Sequence, residues 1–203
     1  MNHKGVKMLK QATAVALFSI ALLSGQVESP APAFAYVPPV VKEVVFGDAV
    51  MLEQERRSYA TNLATYAANL VVMKKASKES LASARRILAL AFHLERRNKQ
   101  AVVVNFQLRE GVLPEVKKGD YNPRTFSRLL MARAKLLLRG DGENVNERLL
   151  GRCFIEMAAH MDPRNEDAVF EHESQRIDSG ELDWGLLTDG RKDSSGAEEA
   201  PEG

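Results

Sequence analysis

Three of the four histidines, one cysteine and a short acidic stretch are the side chains of this chain whose types and surroundings could support chemistry. His93 and His160 stand in matching surroundings, Phe92-His93-Leu94-Glu95 and Ala159-His160-Met161-Asp162, each after a long apolar run. Such a pair could act as ligands or as acid and base. A histidine near a helix C-terminus also interacts favourably with the helix dipole, and duplication of the sequence by itself makes the two sites equivalent. The structural reading is therefore preferred. His160 and His172, flanked by Glu171 and Glu173, could frame a zinc site, but no two histidines lie four residues apart. The spacing fits no strong metal signature. Cys153 sits in an apolar helical run and reads as a small buried hydrophobe rather than a nucleophile. Asp141, Glu143 and Asn144 resemble the start of a calcium loop, yet Asn146 and Arg152 stand where the central Gly and closing Glu belong. Arg139-Gly140-Asp141 resembles an adhesion tripeptide, too short a match to weigh. The chain lacks a Gly-rich phosphate loop, a serine elbow and a Cys/His dyad. No catalytic residues, no metal and no cofactor are expected, and the chain reads as non-enzymatic.

The elements that would position these residues are all helical. A helix is expected from Asp48 to about Lys75, where Leu63, Tyr66, Ala67 and Leu70 recur at helical spacing without Pro or Gly. A second runs from Leu81 to Glu95, and a third, capped by Asn98, runs to about Glu110 before Gly111. Val112 to Asn122 is a linker with Pro114 and Gly119. The next helix spans Arg124 to Arg139 and breaks at Gly140-Asp141-Gly142. Asn144 with Glu147 resembles a capping box and opens another helix, which ends at Asp162-Pro163. Asn165 caps the last, which ends near Gly180. Leu182, Trp184, Leu186 and Leu187 form an apolar segment suited to closing one end. Residues 36–47, with Pro38-Pro39 and a run of valines, form an extended arm. The domain is expected over 48–187, and the acidic, Gly/Ser-rich tail 188–203 is expected to be disordered.

These helices repeat. Residues 84–102 align with 151–169 without a gap at an offset of 67, and Leu63, Ala67 and Leu70 match Leu130, Ala134 and Leu137. The pattern resembles the tetratricopeptide repeat (TPR), a helix pair with large and small apolar residues at set places. Leu130, Ala134 and Leu137 look like its first helix. Gly151, Ile155 and Ala158 look like its second, and Pro163 like its terminal proline. Leu63, Ala67, Leu70, Ala84, Leu88 and Ala91 repeat the set, with Arg96 in place of the proline. The likeness spans Tyr59 to Gly180. It departs in longer loops and in lacking the first helix's usual Trp and Tyr. The resemblance implies an all-α, TPR-like superhelix of stacked helix-turn-helix repeats with a concave face for peptides or protein segments. Asn62, Tyr66 and Asn69, with Arg128 and Lys135, are the expected binding residues. The family's carboxylate clamp is not expected, because Ala64, Ala68, Met131 and Lys135 hold the matching places.

The first 35 residues read as a secretory signal peptide. Lys4, Lys7 and Lys10 precede an uncharged, mainly apolar run from Ala12 to Leu23, and Ala33-Phe34-Ala35 is an A-x-A site. Cleavage after Ala35 predicts a bacterial periplasmic or secreted protein with no membrane span, although a retained anchor stays open. Removing the leader changes the formal net charge from +1 to −1. No global nucleic-acid signature results. Lys74 to Gln100 carries eight basic residues against two acidic, and Asp141 to Asp178 carries ten acidic against four basic. Such poles could orient a partner or join copies head to tail into a homo-oligomer. The leading expectation is an exported interaction module or scaffold whose partner is another protein or peptide segment. The alternative is binding of an anionic polymer or small ligand by the basic first repeat.

Overall fold

The structure, a computed structural model, describes residues 34–46, 51–139 and 144–190. Most of the leader, the first residues of the expected opening helix, the Gly140–Gly142 break and most of the acidic tail lie outside the described residues. The described residues form seven helices and no strand. These are α1 Glu53–Met73, α2 Lys78–Leu94, α3 Lys99–Arg109, α4 Pro123–Leu137, α5 Val145–Met161, α6 Glu166–Ser179 and α7 Gly185–Thr188.

Local chemistry sets the boundaries. α1 starts at Glu53 rather than Asp48, because Leu52 is extended and has no capping side chain. α2 starts three residues before the expected Leu81, because the Ser77 hydroxyl accepts the Ser80 N–H and caps the turn. Asn98 and Asn165, one repeat apart, do the same job twice: each Oδ1 accepts the N–H three residues on. Each also donates Nδ2 to a hydroxyl on the first helix of its repeat, Asn98 to Thr61 at 2.8 Å and Asn165 to Ser127 at 2.9 Å. A cap of this kind fixes the third helix of a repeat against the first.

In α1, Tyr59, Ala60, Leu63, Ala64, Ala67, Ala68 and Val71 form one buried stripe at helical spacing. Its alanines let α2 approach closely, and α2 packs back with Ala84, Leu88 and Ala91, none with measurable exposure. α4 and α5 pair the same way through Leu130, Ala134, Ile155 and Ala158. Between the repeats, Glu55 meets Arg133 at 3.3 Å, the Tyr59 hydroxyl donates to the Leu129 carbonyl at 3.4 Å, and the Tyr59 and Phe126 rings sit edge to face at 5.5 Å. Residue numbers rise along α1 as they fall along α4, so these two helices run antiparallel.

The 112–122 linker crosses α1. Asn69 donates to the Lys117 carbonyl at 2.7 Å and accepts the Lys117 N–H at 3.0 Å. Asn62 accepts the Asp120 N–H and donates to its carboxylate, both at 3.0 Å. Seven helical residues rise about 10.5 Å and three extended residues span about 10 Å, so the two asparagines are in register with main chain three residues apart.

Candidate functional site

The duplication supplies an internal comparison. In the first repeat the groove between α2 and α3 is covered by the chain's own segments. Arg85 donates Nη2 to the Thr188 carbonyl at 3.2 Å and to the Asp189 carboxylate at 2.6 Å. His93 Nε2 lies 2.9 Å from the Leu187 carbonyl, and Nδ1 accepts the Val45 N–H at 3.3 Å. A carbonyl only accepts, so Nε2 carries the proton and the ring is neutral. Burial pushes His93 below its ordinary value, with the Leu187 carbonyl and the Glu43 backbone opposing. The Phe46 ring stands edge-on to His93, and the Tyr36 hydroxyl donates to Asn105. The expectation of a charged imidazole favouring a helix end is therefore corrected for His93. It is a buried neutral pin between the N-terminal arm and α7.

One repeat further on, Arg152, Glu156, His160, His172 and Gln175 replace Arg85, Ala89, His93, Asn105 and Leu108. Here the groove is partly open. Gly180 to Trp184 crosses one end, where Arg152 Nη2 donates to the Gly180 carbonyl at 2.9 Å. Trp184 Nε1 donates to the Glu156 carboxylate at 2.7 Å, and Arg86 of the first repeat lies 3.7 Å from it. Beyond this contact no segment covers the other end among the described residues. His160 and His172 meet there edge to face, centroids 5.7 Å apart. Burial, and the neighbouring His172 and Arg86, push His160 below its ordinary value, while Glu156 acts in the opposite direction.

Two cavities share Arg86, His160 and His172 as walls. The smaller, about 200 Å³, is polar, with Arg152, Glu156, Arg176 and Trp184 around it. The larger, about 440 Å³, is mainly apolar, with Tyr66, Leu70, Ile87, Met157, Pro163 and Val169. Glu173 bridges His172, at 3.4 Å, and Arg176, at 2.8 Å. Among the described residues no group of three His, Cys, Asp or Glu side chains is placed to hold a metal.

Of the five residues expected to bind, only Tyr66 lies in this groove. Asn62 and Asn69 are occupied by the linker, so the α1 face they were expected to offer is covered by the chain itself. Arg128 is exposed on α4, away from the groove, and Lys135 pairs with Asp167 at 2.9 Å. Sequence reasoning missed Arg86, Arg152, Glu156 and Trp184 as groove residues, and of these only Glu156 carried a usable signal, a charged residue where its counterpart one repeat earlier, Ala89, is apolar. Cys153 is fully buried, and burial pushes its thiol well above the usual range.

The poles of opposite charge touch at one ion pair among those described, Arg86–Glu156, while Glu55–Arg133 joins the repeats with the opposite polarity and Arg85–Asp189 joins the first repeat to the chain after the second. No helix among the described residues is long and apolar enough to cross a membrane. Compared with known proteins, the chain matches no family model, no curated protein and no solved structure. Fold and groove together define, over the described residues, an all-helical fold of two similar three-helix units.

Proposed function

We propose that this chain is an exported, non-enzymatic interaction module of two TPR-like helix pairs that holds an extended segment of another protein in the groove between α2, α5 and α6. The observation that carries the reading is the contrast between the repeats. The first groove holds polypeptide, seated by arginine and histidine bonds to main-chain atoms. The second keeps the same arginine and histidine and remains partly open. The linker on α1 supports the same reading, since helical side chains there also grip extended backbone. Helical repeats commonly present such surfaces. The antiparallel contact of α1 with α4 is the feature a regular superhelical stack lacks, so the TPR likeness is proposed for each helix pair rather than for their stacking. The basic stretch of the first repeat gives less support to an anionic-polymer binder, because Arg85, Arg86 and Arg96 all make internal contacts.

A photo-cross-linking residue in place of Tyr66, in the full chain in its native cells, tests the proposal. A recurrent partner peptide is expected at Tyr66 and not at Arg128 on the outer face. Cross-links confined to the chain itself would overturn the reading.

A further inference from the structure

The two arginines that are one repeat apart differ in a way that defines a ligand group. Arg85 holds both a main-chain carbonyl and a carboxylate, the Thr188 oxygen and Asp189. Arg152 also holds one main-chain carbonyl, that of Gly180, from a segment unrelated to the first by the repeat, and it makes no ion pair with a carboxylate among the described residues. It stands instead in the wall of the polar cavity, with Arg86 and Arg176 beside it. We infer that this cavity is a carboxylate subsite, and that the bound segment carries an acidic residue against Arg152 next to an apolar residue in the adjoining 440 Å³ lobe. The inference rests on the segment-binding reading and adds its chemistry.

Two acidic groups in the wall need accounting for. Glu156 already accepts the Trp184 N–H and faces Arg86, and Glu181 is the other. Arg176 is paired with Glu173 and Arg86 faces Glu156, so Arg152 is the one guanidinium of the three that makes no ion pair with a carboxylate among the described residues. Planar guanidinium is suited to a carboxylate, and charge-assisted hydrogen bonds of this kind are roughly twice as strong as neutral ones. The first groove also indicates the neighbouring residue type: Leu187, two positions before Asp189, is fully buried.

The probe is a labelled peptide copying residues 184–190, Trp-Gly-Leu-Leu-Thr-Asp-Gly, titrated into the full chain by fluorescence anisotropy, beside a peptide with Asp189→Asn. The acidic peptide is expected to bind about tenfold more tightly, the loss typical of one charged hydrogen bond. Arg152→Gln should erase that ratio and Arg152→Lys should restore part of it, with circular dichroism showing both variants folded. Equal binding of the two peptides would overturn the carboxylate subsite while leaving segment binding intact. Failure of both peptides to bind would also overturn it. Acetate displacing the peptide at concentrations matching its own affinity would keep the subsite and defeat the segment reading.

Discussion

His93 makes the molecule lose stability in mild acid, and the size of the loss follows from its surroundings. The ring is 2% exposed, accepts an N–H at Nδ1 and donates at Nε2, so a second proton at Nδ1 must displace the Val45 N–H, and the Glu43 backbone offsets only part of that cost and of burial. Its folded-state value is below the ordinary 6.5, with burial the larger cause. The sign is therefore that of a group which binds protons better in the unfolded chain. The stability it supports is complete above 6.5 and falls as pH drops toward the folded value. One unit below 6.5, about nine in ten unfolded chains carry the proton, and if the folded ring excludes it the loss approaches RT ln 11, about 1.4 kcal/mol. His160 moves in the same direction, but it is exposed and solvent damps its share. Urea unfolding at about pH 7.5 and pH 5.5, for the native chain and for His93→Gln, isolates the term, because glutamine keeps polarity and cannot take up the proton. The native chain is expected to lose about 1 kcal/mol more than the variant between those conditions. Equal losses would refute the neutral-pin assignment. Imidazole nitrogen shifts by NMR provide a second check, with the Nε2–H tautomer expected at neutral pH.

Three further outcomes follow from the packing. Asn62→Ala should cost about 2 kcal/mol, since it leaves a buried helix position and the Asp120 N–H without partners, and Asn69→Ala should cost about half that because the site is wetter; hydrogen exchange should accelerate at Asp120 and Lys117 respectively. Gly151→Ala should destabilise by about 1–2 kcal/mol by thermal melting, because the new methyl would stand 2.9 Å from Leu138 Cγ, a contact relieved only if the Leu138 side chain or the end of α4 shifts. Cys153 should react with a thiol reagent at the rate of unfolding and no faster, since it is fully buried and its thiolate is disfavoured, so rapid labelling of the folded chain would contradict the packing.

Helix positions were legible because they depend on local chemistry. Apolar spacing marked the stripe of α1, and Asn98, Asn144 and Asn165 marked starts that the structure reproduces. Ser77 was missed although it is an equally good cap, because the polar run around it read as a break. The groove was not legible, because its walls come from α1, α2, α5, α6 and the 180–184 segment, brought together only by tertiary packing. Asn62 and Asn69 illustrate the limit from the other side. They were expected on the concave face that the repeat resemblance implies, but no local pattern indicates that the chain held there is the protein's own linker.

The divergence between the two repeats is the strongest reason to regard the second groove as functional. After duplication, each helix pair needs the same apolar contacts to close, and the closed repeat shows what that requires: Ala89 and Leu108 are both fully buried. The second repeat places Glu156 and Gln175 at those positions, and His172 where Asn105 stands. A carboxylate that is 8% exposed is costly unless paired, and Glu156 is held by Trp184 and Arg86, which are themselves recruited from outside its helix pair. Two apolar residues and a covering arm would close the groove more simply, as the first repeat does. A polar lining supported by partners from α2 and the 180–184 segment is what the proposed binding of a charged segment would require.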